Sequence, residues 1–448
     1  MRKRDRGKDT RQERHRGGCR FSRWKKQEAG EQMNFPSRLS SDARHHGVRL
    51  VLLLTVALAL ACLSLAGRAV AQAGINQDEG AKEDTGFCDD VIKPFQSYNC
   101  TEYMVSTFDG FLLSLQLIQR NDWIGQSFAG DVLFWHSALL GGRSWFVADN
   151  PTPLAMADAG YSVWIAHARG TEYTFGHQML TPNQKEFWNW DMDEWANYDF
   201  PAITDFVFYA TKGRKFHFVG YSQGARVGIG AISYQWNRAT MLASVSLIAP
   251  VVFMVNTISP VLVAYNYTRL AELAYKIGVG KISFASITDS STTSQKLTEL
   301  KREGLCQFTG PNCCIDSDKV FRVMTGPYSL TTYKNLDHIA QSMKSQVFKA
   351  YDFGSPNANI GVYQNSEPPT YHLQQVPNTI PLFVLYGGHD RLSTPTDVDY
   401  FVSQLSTVPE ILFHPLYAHL DFIFSRSLGL DINLPLLTFI GKNSNFKG

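Results

Sequence analysis

The chain has 448 residues, 44% of them apolar and 18% charged, with a formal net charge of +2. That length suits one large α/β domain carrying an insertion. The small net charge hides two opposite parts, because residues 1–49 carry fifteen Lys or Arg against six acids while residues 72–448 carry 26 against 34. An acidic folded part gives no support to nucleic-acid binding by counterion release, which needs a basic face on the domain itself.

Residues 1–71 read as a basic leader plus secretory signal. Leu50–Ala66 is uncharged and apolar, Arg49 precedes it, and Ala69-Val70-Ala71 supplies the small residues for cleavage after Ala71. A start at Met33 would leave a leader of ordinary length with net charge +2, so the gene model reads as over-long. A signal anchor is the alternative, since about 17 apolar residues sit at the short limit for crossing a bilayer. Residues 72–87 form a polar linker.

Five cysteines follow the leader: Cys88, Cys100, Cys306, Cys313 and Cys314. Cys88 and Cys100 flank a short loop and are candidates to pair; Cys306 is a candidate partner for Cys313 or Cys314, which leaves one thiol over. Asn99-Cys100-Thr101 and Asn266-Tyr267-Thr268 satisfy the glycosylation sequon, which carries meaning because a leader precedes them.

From Gly130 onward, short apolar runs alternate with longer amphipathic stretches. Strands are expected at Gly130–His136, Tyr161–His167, Lys215–Gly220, Ala243–Pro250, Ile380–Tyr386 and Glu410–Leu416, each rich in Val, Ile, Phe or Tyr and bounded by Gly or Pro. Crossover-length spacers between them predict a mostly parallel sheet covered by helices on both faces. The rhythm stops after Pro250. Residues 254–378 are aromatic, Cys-bearing and helix-like in patches such as Thr331–Tyr351, so they read as an inserted cap on a core formed by 88–253 and 379–445.

Gly220-Tyr221-Ser222-Gln223-Gly224 matches G-x-S-x-G, with an apolar run before it and the helix-compatible ARVGIGAISYQW after it. A nucleophile elbow needs that context: a sharp strand-to-helix turn strains the serine, and the flanking glycines leave room where a Cβ would not fit. A serine hydroxyl becomes nucleophilic only when an imidazole takes its proton, and a carboxylate must hold that imidazole in the right tautomer. In this fold the acid and the histidine follow the serine, each after a later strand. Asp390 follows the strand ending in Gly387-Gly388, ahead of its rivals Asp397 and Asp399, which fall in the next helix. His419 follows the last strand, whereas His414 lies within it. Two backbone N–H donors complete such a site, and Gln223 and Ala138 occupy the expected positions after the nucleophile and after an early strand.

The chain resembles the acid lipases, the lysosomal and gastric enzymes and their plant relatives. The resemblance runs from about Cys88 to Phe439 through VSTFDGFLLSLQLI, GYSVWIAHARGT, KEFWNWDMDEWANYDFPA, GYSQG, TGPNCC, KAYDFGS, YGGHDRL and YAHLDF, with TGPNCC and the Cys88–Cys100 region pointing to the plant-like branch. It implies an α/β-hydrolase with an inserted cap that cleaves triacylglycerols or sterol esters, with Ser222, Asp390 and His419 on the triad positions and Gln223 and Ala138 on the oxyanion positions. It also implies a secreted, lysosomal or vacuolar glycoprotein. Two departures stand out: Ser137 replaces the usual glycine after His136, which would stiffen the oxyanion loop, and Ala166-His167 replaces the usual Gly-Asn.

Three functions compete at this point: a lipase or steryl-ester hydrolase acting at a lipid–water interface, an esterase or acyltransferase on smaller soluble esters, and a catalytically silent lipid-binding protein. Cap aromatics Phe253, Tyr265, Tyr267, Tyr275 and Phe284 suit either a lipid pocket or plain packing. The twelve histidines show no zinc spacing, and the expected chemistry needs neither metal nor cofactor nor stable protein partner.

Overall fold

A computed structural model describes residues 86–123, 129–283, 303–324 and 330–444. The leader, its cleavage site, the signal-anchor alternative, most of the linker and Phe284 lie outside the described residues. Phe87, which the sequence assigned to the linker, is fully buried and packs edge-on against Phe146, His167 and Tyr173. Phe87 therefore belongs to the packed core rather than to a linker, because an aromatic side chain of this size gains most when every face is covered.

The strands in chain order are β1 (Tyr98–Ser106), β2 (Phe111–Arg120), β3 (Gly130–Trp135), β4 (Tyr161–His167), β5 (Gly176–His177), β6 (Phe216–Tyr221), β7 (Leu242–Ile248), β8 (Lys281–Ser283), β9 (Leu330–Thr332), β10 (Leu382–Gly387) and β11 (Glu410–His414). The main sheet runs β1-β2-β4-β3-β6-β7-β10-β11, with β5 paired to β2. Within the main sheet, β4, β3, β6, β7, β10 and β11 pair in parallel in that order, whereas the pairings β1–β2, β2–β4 and β2–β5 are antiparallel. The chain belongs to the α/β-hydrolase fold. β3, β4, β6 and β10 are buried along their whole length, which is why their sequences read as continuous apolar runs.

Alternate residues feed two cores. Trp135, Phe218 and Val384 face helices Phe200–Ala210, Gln223–Tyr234 and Pro395–Ser403, while Phe134, Val219 and Leu385 face helices Thr152–Asp158 and Leu434–Lys442. The strand order reverses between β3 and β6, and a crevice outside the carboxyl ends of such a pair is where ligands bind in open α/β sheets.

Between β7 and β10 the chain leaves the sheet. This segment holds the two-stranded β8–β9 pair and the helices Pro260–Thr268, Leu270–Lys276, Ser317–Met324, Tyr333–Ser342 and Pro356–Tyr363. The helix expected over Thr331–Tyr351 is shorter. Thr331 and Thr332 pair in β9, and the Thr332 hydroxyl accepts from Asn335 N to cap a helix that ends at Ser342. Among the described residues, no helix is long and apolar enough to cross a membrane.

Candidate active site

Ser222 leaves β6 with φ 55° and ψ −116° and caps the helix Gln223–Tyr234. Two neighbours make that strained turn possible. A Cβ on Gly220 would stand 2.8 Å from Ala225 backbone atoms, and one on Gly224 would stand 2.4 Å from His136 O and 2.7 Å from Trp135 O. Those glycines let the elbow close onto the end of β3, and the Ser222 N–H donates to Ile248 O of β7 at 2.8 Å.

The structure brings the three residues singled out after strands together. Ser222 Oγ lies 2.8 Å from His419 Nε2, and His419 Nδ1 lies 2.8 Å from Asp390 Oδ2. Asp390 Oδ1 accepts the N–H groups of Leu392 and Ser393 at 2.8 and 2.9 Å, which turns the other oxygen toward the imidazole. The Tyr221 hydroxyl donates to His419 O at 2.9 Å, and the two rings stand 5.2 Å apart. All three polar side chains are nearly closed off from solvent, Ser222 being only 5% exposed. The rival acids are engaged elsewhere: Asp397 accepts from Asn256, and Asp399 from the Tyr386 hydroxyl. His414 ends β11 and stacks on Tyr417.

Ala138 lies in the turn after β3, half-buried, against the elbow through the contact of Gly224 with His136 O. His136 shapes that turn. Its Nδ1–H donates to Ser137 O at 2.8 Å, and its Nε2 accepts from Ala168 N at 3.1 Å, so the ring is needed neutral. Burial enforces this by pushing the imidazole down to about 4. Ser137 keeps a negative φ while Leu139 takes φ 59°, so the turn asks for no glycine at 137. His167 is buried beside this loop with neither ring nitrogen hydrogen-bonded, and burial holds it far below its ordinary value.

Sequence reading did not single out Asn335. Its side-chain amide pairs reciprocally with that of Gln223, at 3.0 Å in both directions, and both are buried. No local signal points to it, since the partners are 112 residues apart. A second unforeseen cluster ties the same helix down. Lys334 Nζ lies 3.0 Å from both Asp191 Oδ2 and Glu194 Oε1, and His338 bridges Asp191 Oδ1 and Lys349 O. Burial alone would lower the His338 imidazole, but Asp193 and Asp191 raise it.

Two groups of ligand-type residues converge among the described residues. In Asp191, Asp193 and His338, both imidazole nitrogens face oxygen acceptors, so the imidazole has no lone pair to offer a cation, and Lys334 supplies a positive charge beside Asp191. In Cys313, Cys314 and Asp421, the two sulfurs are joined to each other. With Cys313 and Cys314 joined to each other, the expected bridge from Cys306 to one of them does not form. Cys88 and Cys100 are joined as expected. Asn99 is exposed on edge strand β1, and Asn266 is half-buried on helix Pro260–Thr268.

A serine at a strand-to-helix elbow, set at the reversal point of an α/β-hydrolase sheet, defines the protein as a serine ester hydrolase. No family model matches the chain. Over 361 residues it is 30% identical to triacylglycerol lipase 1 of Arabidopsis thaliana, covering 79% of this chain and 89% of that one. It is 31% identical over 357 residues to the lysosomal acid lipase/cholesteryl ester hydrolase of Macaca fascicularis, covering 76% and 86%. With the gastric triacylglycerol lipase of Homo sapiens it shares 28% over 369 residues, covering 78% and 89%. A soluble variant of monoglyceride lipase from Saccharomyces cerevisiae superposes with a TM-score of 0.51 at 14% identity, covering 78% and 96%, a likeness of fold alone. The chain belongs to the acid lipase family of the lysosomal, gastric and plant enzymes.

Proposed function

We propose that this enzyme hydrolyses neutral lipid esters, triacylglycerols or steryl esters, through Ser222, His419 and Asp390. The observation that carries the reading is the unbroken chain of two 2.8 Å contacts from the Ser222 hydroxyl through His419 to the Asp390 carboxylate. In that arrangement His419 Nε2 takes the hydroxyl proton as Ser222 Oγ attacks the ester carbonyl, and Asp390 holds the Nδ1–H tautomer. The N–H groups of Gln223 and Ala138 receive the oxyanion. Collapse expels the alcohol with the proton from His419, leaving an acyl-enzyme. Water then repeats the sequence and frees the fatty acid.

Residues 254–378 are the cap in this reading, and the burial of Ser222, only 5% exposed, supports a site that must open to admit a long acyl chain. The aromatics of the cap, and Phe253 just before it, divide in their duties. Phe253 packs against Phe348 and Tyr400, and Tyr275 donates to Asn189, whereas Tyr267 is 85% exposed. The names of the relatives support neutral lipids as substrates and, with the leader, a secretory route to a lysosomal, vacuolar or external site. Asn99 and Asn266 are the proposed glycan acceptors.

The test is a panel of triacylglycerols, steryl esters, phospholipids and short p-nitrophenyl esters at acidic and neutral pH. Expected are turnover of long-chain neutral esters that rises once substrate passes its solubility limit, and a loss of about a millionfold in Ser222→Ala. Activity confined to short soluble esters would favour the esterase alternative. Full activity in Ser222→Ala would remove the triad.

A further inference from the structure

One turn of the cap segment lies against both loops that carry Asp390 and His419. After the helix at 303–309 comes Gly310-Pro311-Asn312-Cys313-Cys314. Thr309 O accepts the backbone N–H of His419 at 3.3 Å and that of Arg391, next to Asp390, at 3.4 Å. Asn312 Oδ1 accepts from Leu420 N at 3.0 Å, while its Nδ2 donates to Thr309 Oγ1 and Gly310 O at 2.9 Å each. Gly310 has φ +107°, and a Cβ there would stand 2.2 Å from His389 O, so the turn reaches the acid loop only as glycine.

Asp421 closes the same seam. Its carboxylate accepts Ala418 N at 2.8 Å, Cys314 N at 3.0 Å and Cys313 N at 3.2 Å. The side chain is fully buried, and its three acceptor contacts join the histidine turn to the cap turn. Every backbone N–H from Ala418 to Asp421 is thereby engaged: by the Asp421 carboxylate, by Thr309 O, by Asn312 Oδ1 and by Ala418 O. Two of those four acceptors belong to the cap. Burial pushes the Asp421 carboxyl up to about 7, against the pull of the three N–H donors and with the Asp390 charge adding to the rise. A buried acceptor kept under that penalty, beside a histidine whose ring must stay within hydrogen-bond reach of a serine, has a use in holding that histidine.

We propose that Asp421 is a positioning residue for His419: its carboxylate gathers the N–H groups of Ala418, Cys313 and Cys314 and holds the histidine turn and the cap turn as one unit, with Asn312 and Thr309 fastening the same seam. The proposal rests on the triad reading. It makes the cap part of the catalytic scaffold, and it separates Asp421 from a residue that only adds stability. Replacing it by asparagine keeps the shape but presents an amide N–H₂ where backbone donors need an acceptor.

The experiment uses the full chain. Asp421→Asn and Asn312→Ala are compared with wild type for kcat and KM on a short p-nitrophenyl ester, and for the rate at which a fluorophosphonate labels Ser222, all well below each variant's Tm. Asp421→Asn is expected to lower kcat and the labelling rate together by about tenfold or more, with KM held within about twofold, because a displaced imidazole slows proton transfer without altering ester binding. Asn312→Ala moves both rates the same way by a smaller factor, and Asn312→Asp, which keeps the acceptor for Leu420 N, recovers most of the loss. Wild-type kcat and labelling in folded Asp421→Asn, whatever its Tm, overturns the proposal. If Asp421→Asn yields no folded protein, Asn312→Ala decides by the same measure, and a wild-type labelling rate there overturns it. Failure of wild-type Ser222 to label would instead overturn the triad on which this rests.

Discussion

At the scale of single residues, the arrangement around His419 turns on tautomer control. Asp390 receives two backbone N–H groups on Oδ1, so only Oδ2 is left for the His419 Nδ1–H, and the neutral imidazole presents Nε2 to Ser222. On the proposed triad, Asp390→Asn keeps the size of the side chain but can offer Nδ1 a donor, which stabilises the wrong tautomer. Its kcat is expected to fall by about 10⁴-fold with little change in Tm, read by steady-state hydrolysis beside thermal unfolding. A loss below about tenfold would assign the acid role elsewhere, and Asp397 and Asp399 are the residues to try next. That Asp390 and His419 stand beside Ser222 was legible because each follows an apolar run in the chain order that the proposed triad requires. Asp421 was not, although it stands two residues after His419, because its importance lies in whose N–H groups it meets, and two of those belong to residues 107 and 108 positions away. In the turn that carries Ser137 the positive φ falls at Leu139, so Ser137 sits there without left-handed strain.

Among elements, the elbow shows how a short motif depends on its neighbours. The helix Gln223–Tyr234 follows Ser222 directly, and Gly224 in its first turn presses on the end of β3. Gly224→Ala would drive a methyl into His136 O and Trp135 O, both backbone atoms that cannot rotate away. The variant is expected to lose about 3 kcal/mol of stability or to displace the loop bearing Ala138 with about a hundredfold loss of kcat, read by calorimetry and kinetics in parallel. Neither effect would mean that β3 and the helix separate more easily than the packing suggests. The buried parallel strands were readable within one or two residues at their ends. β1 and β2 were passed over as strands, because β1 alternates between exposed and half-buried positions at the sheet edge and lacks a continuous apolar run. The cap helix was misjudged in length, since Thr332 and its β9 pairing set where it starts, and those depend on strand β8 some 50 residues earlier.

Over the whole molecule, buried titratable groups tie stability to pH with opposite signs. Burial raises Asp421 to about 7, so folding favours its protonated form; that contribution is present at low pH and is lost as pH rises through about 7. Burial lowers His136 and His217 from 6.5 to about 4, so the folded state resists protonating them; that contribution is present above 6.5 and is lost as pH falls toward 4. His217 is the cleaner probe. It bridges Ser244 and Ser444 at the other end of β6 from Ser222, away from the catalytic rim. Substituting His217→Gln removes one titration, and the fall in stability between pH 6.5 and 4.5 is expected to shrink by up to about 3 kcal/mol. Equal pH slopes of Tm in the two proteins would show that His217 is not the group responsible.

The primary sequence by itself determined the fold class and the elbow, and pointed to Asp390 and His419 as the residues that meet Ser222, because these are written in local periodicity and in short runs whose geometry follows from residue type. Tertiary structure alone decided which distant groups meet: the Gln223–Asn335 amide pair, the Lys334 cluster that joins helix Tyr333–Ser342 to Asp191 and Glu194, and the seam of Asp421 with the 309–314 turn. Such contacts satisfy buried donors and acceptors across more than a hundred residues of chain, and no local pattern encodes a partner that only the folded sheet brings near.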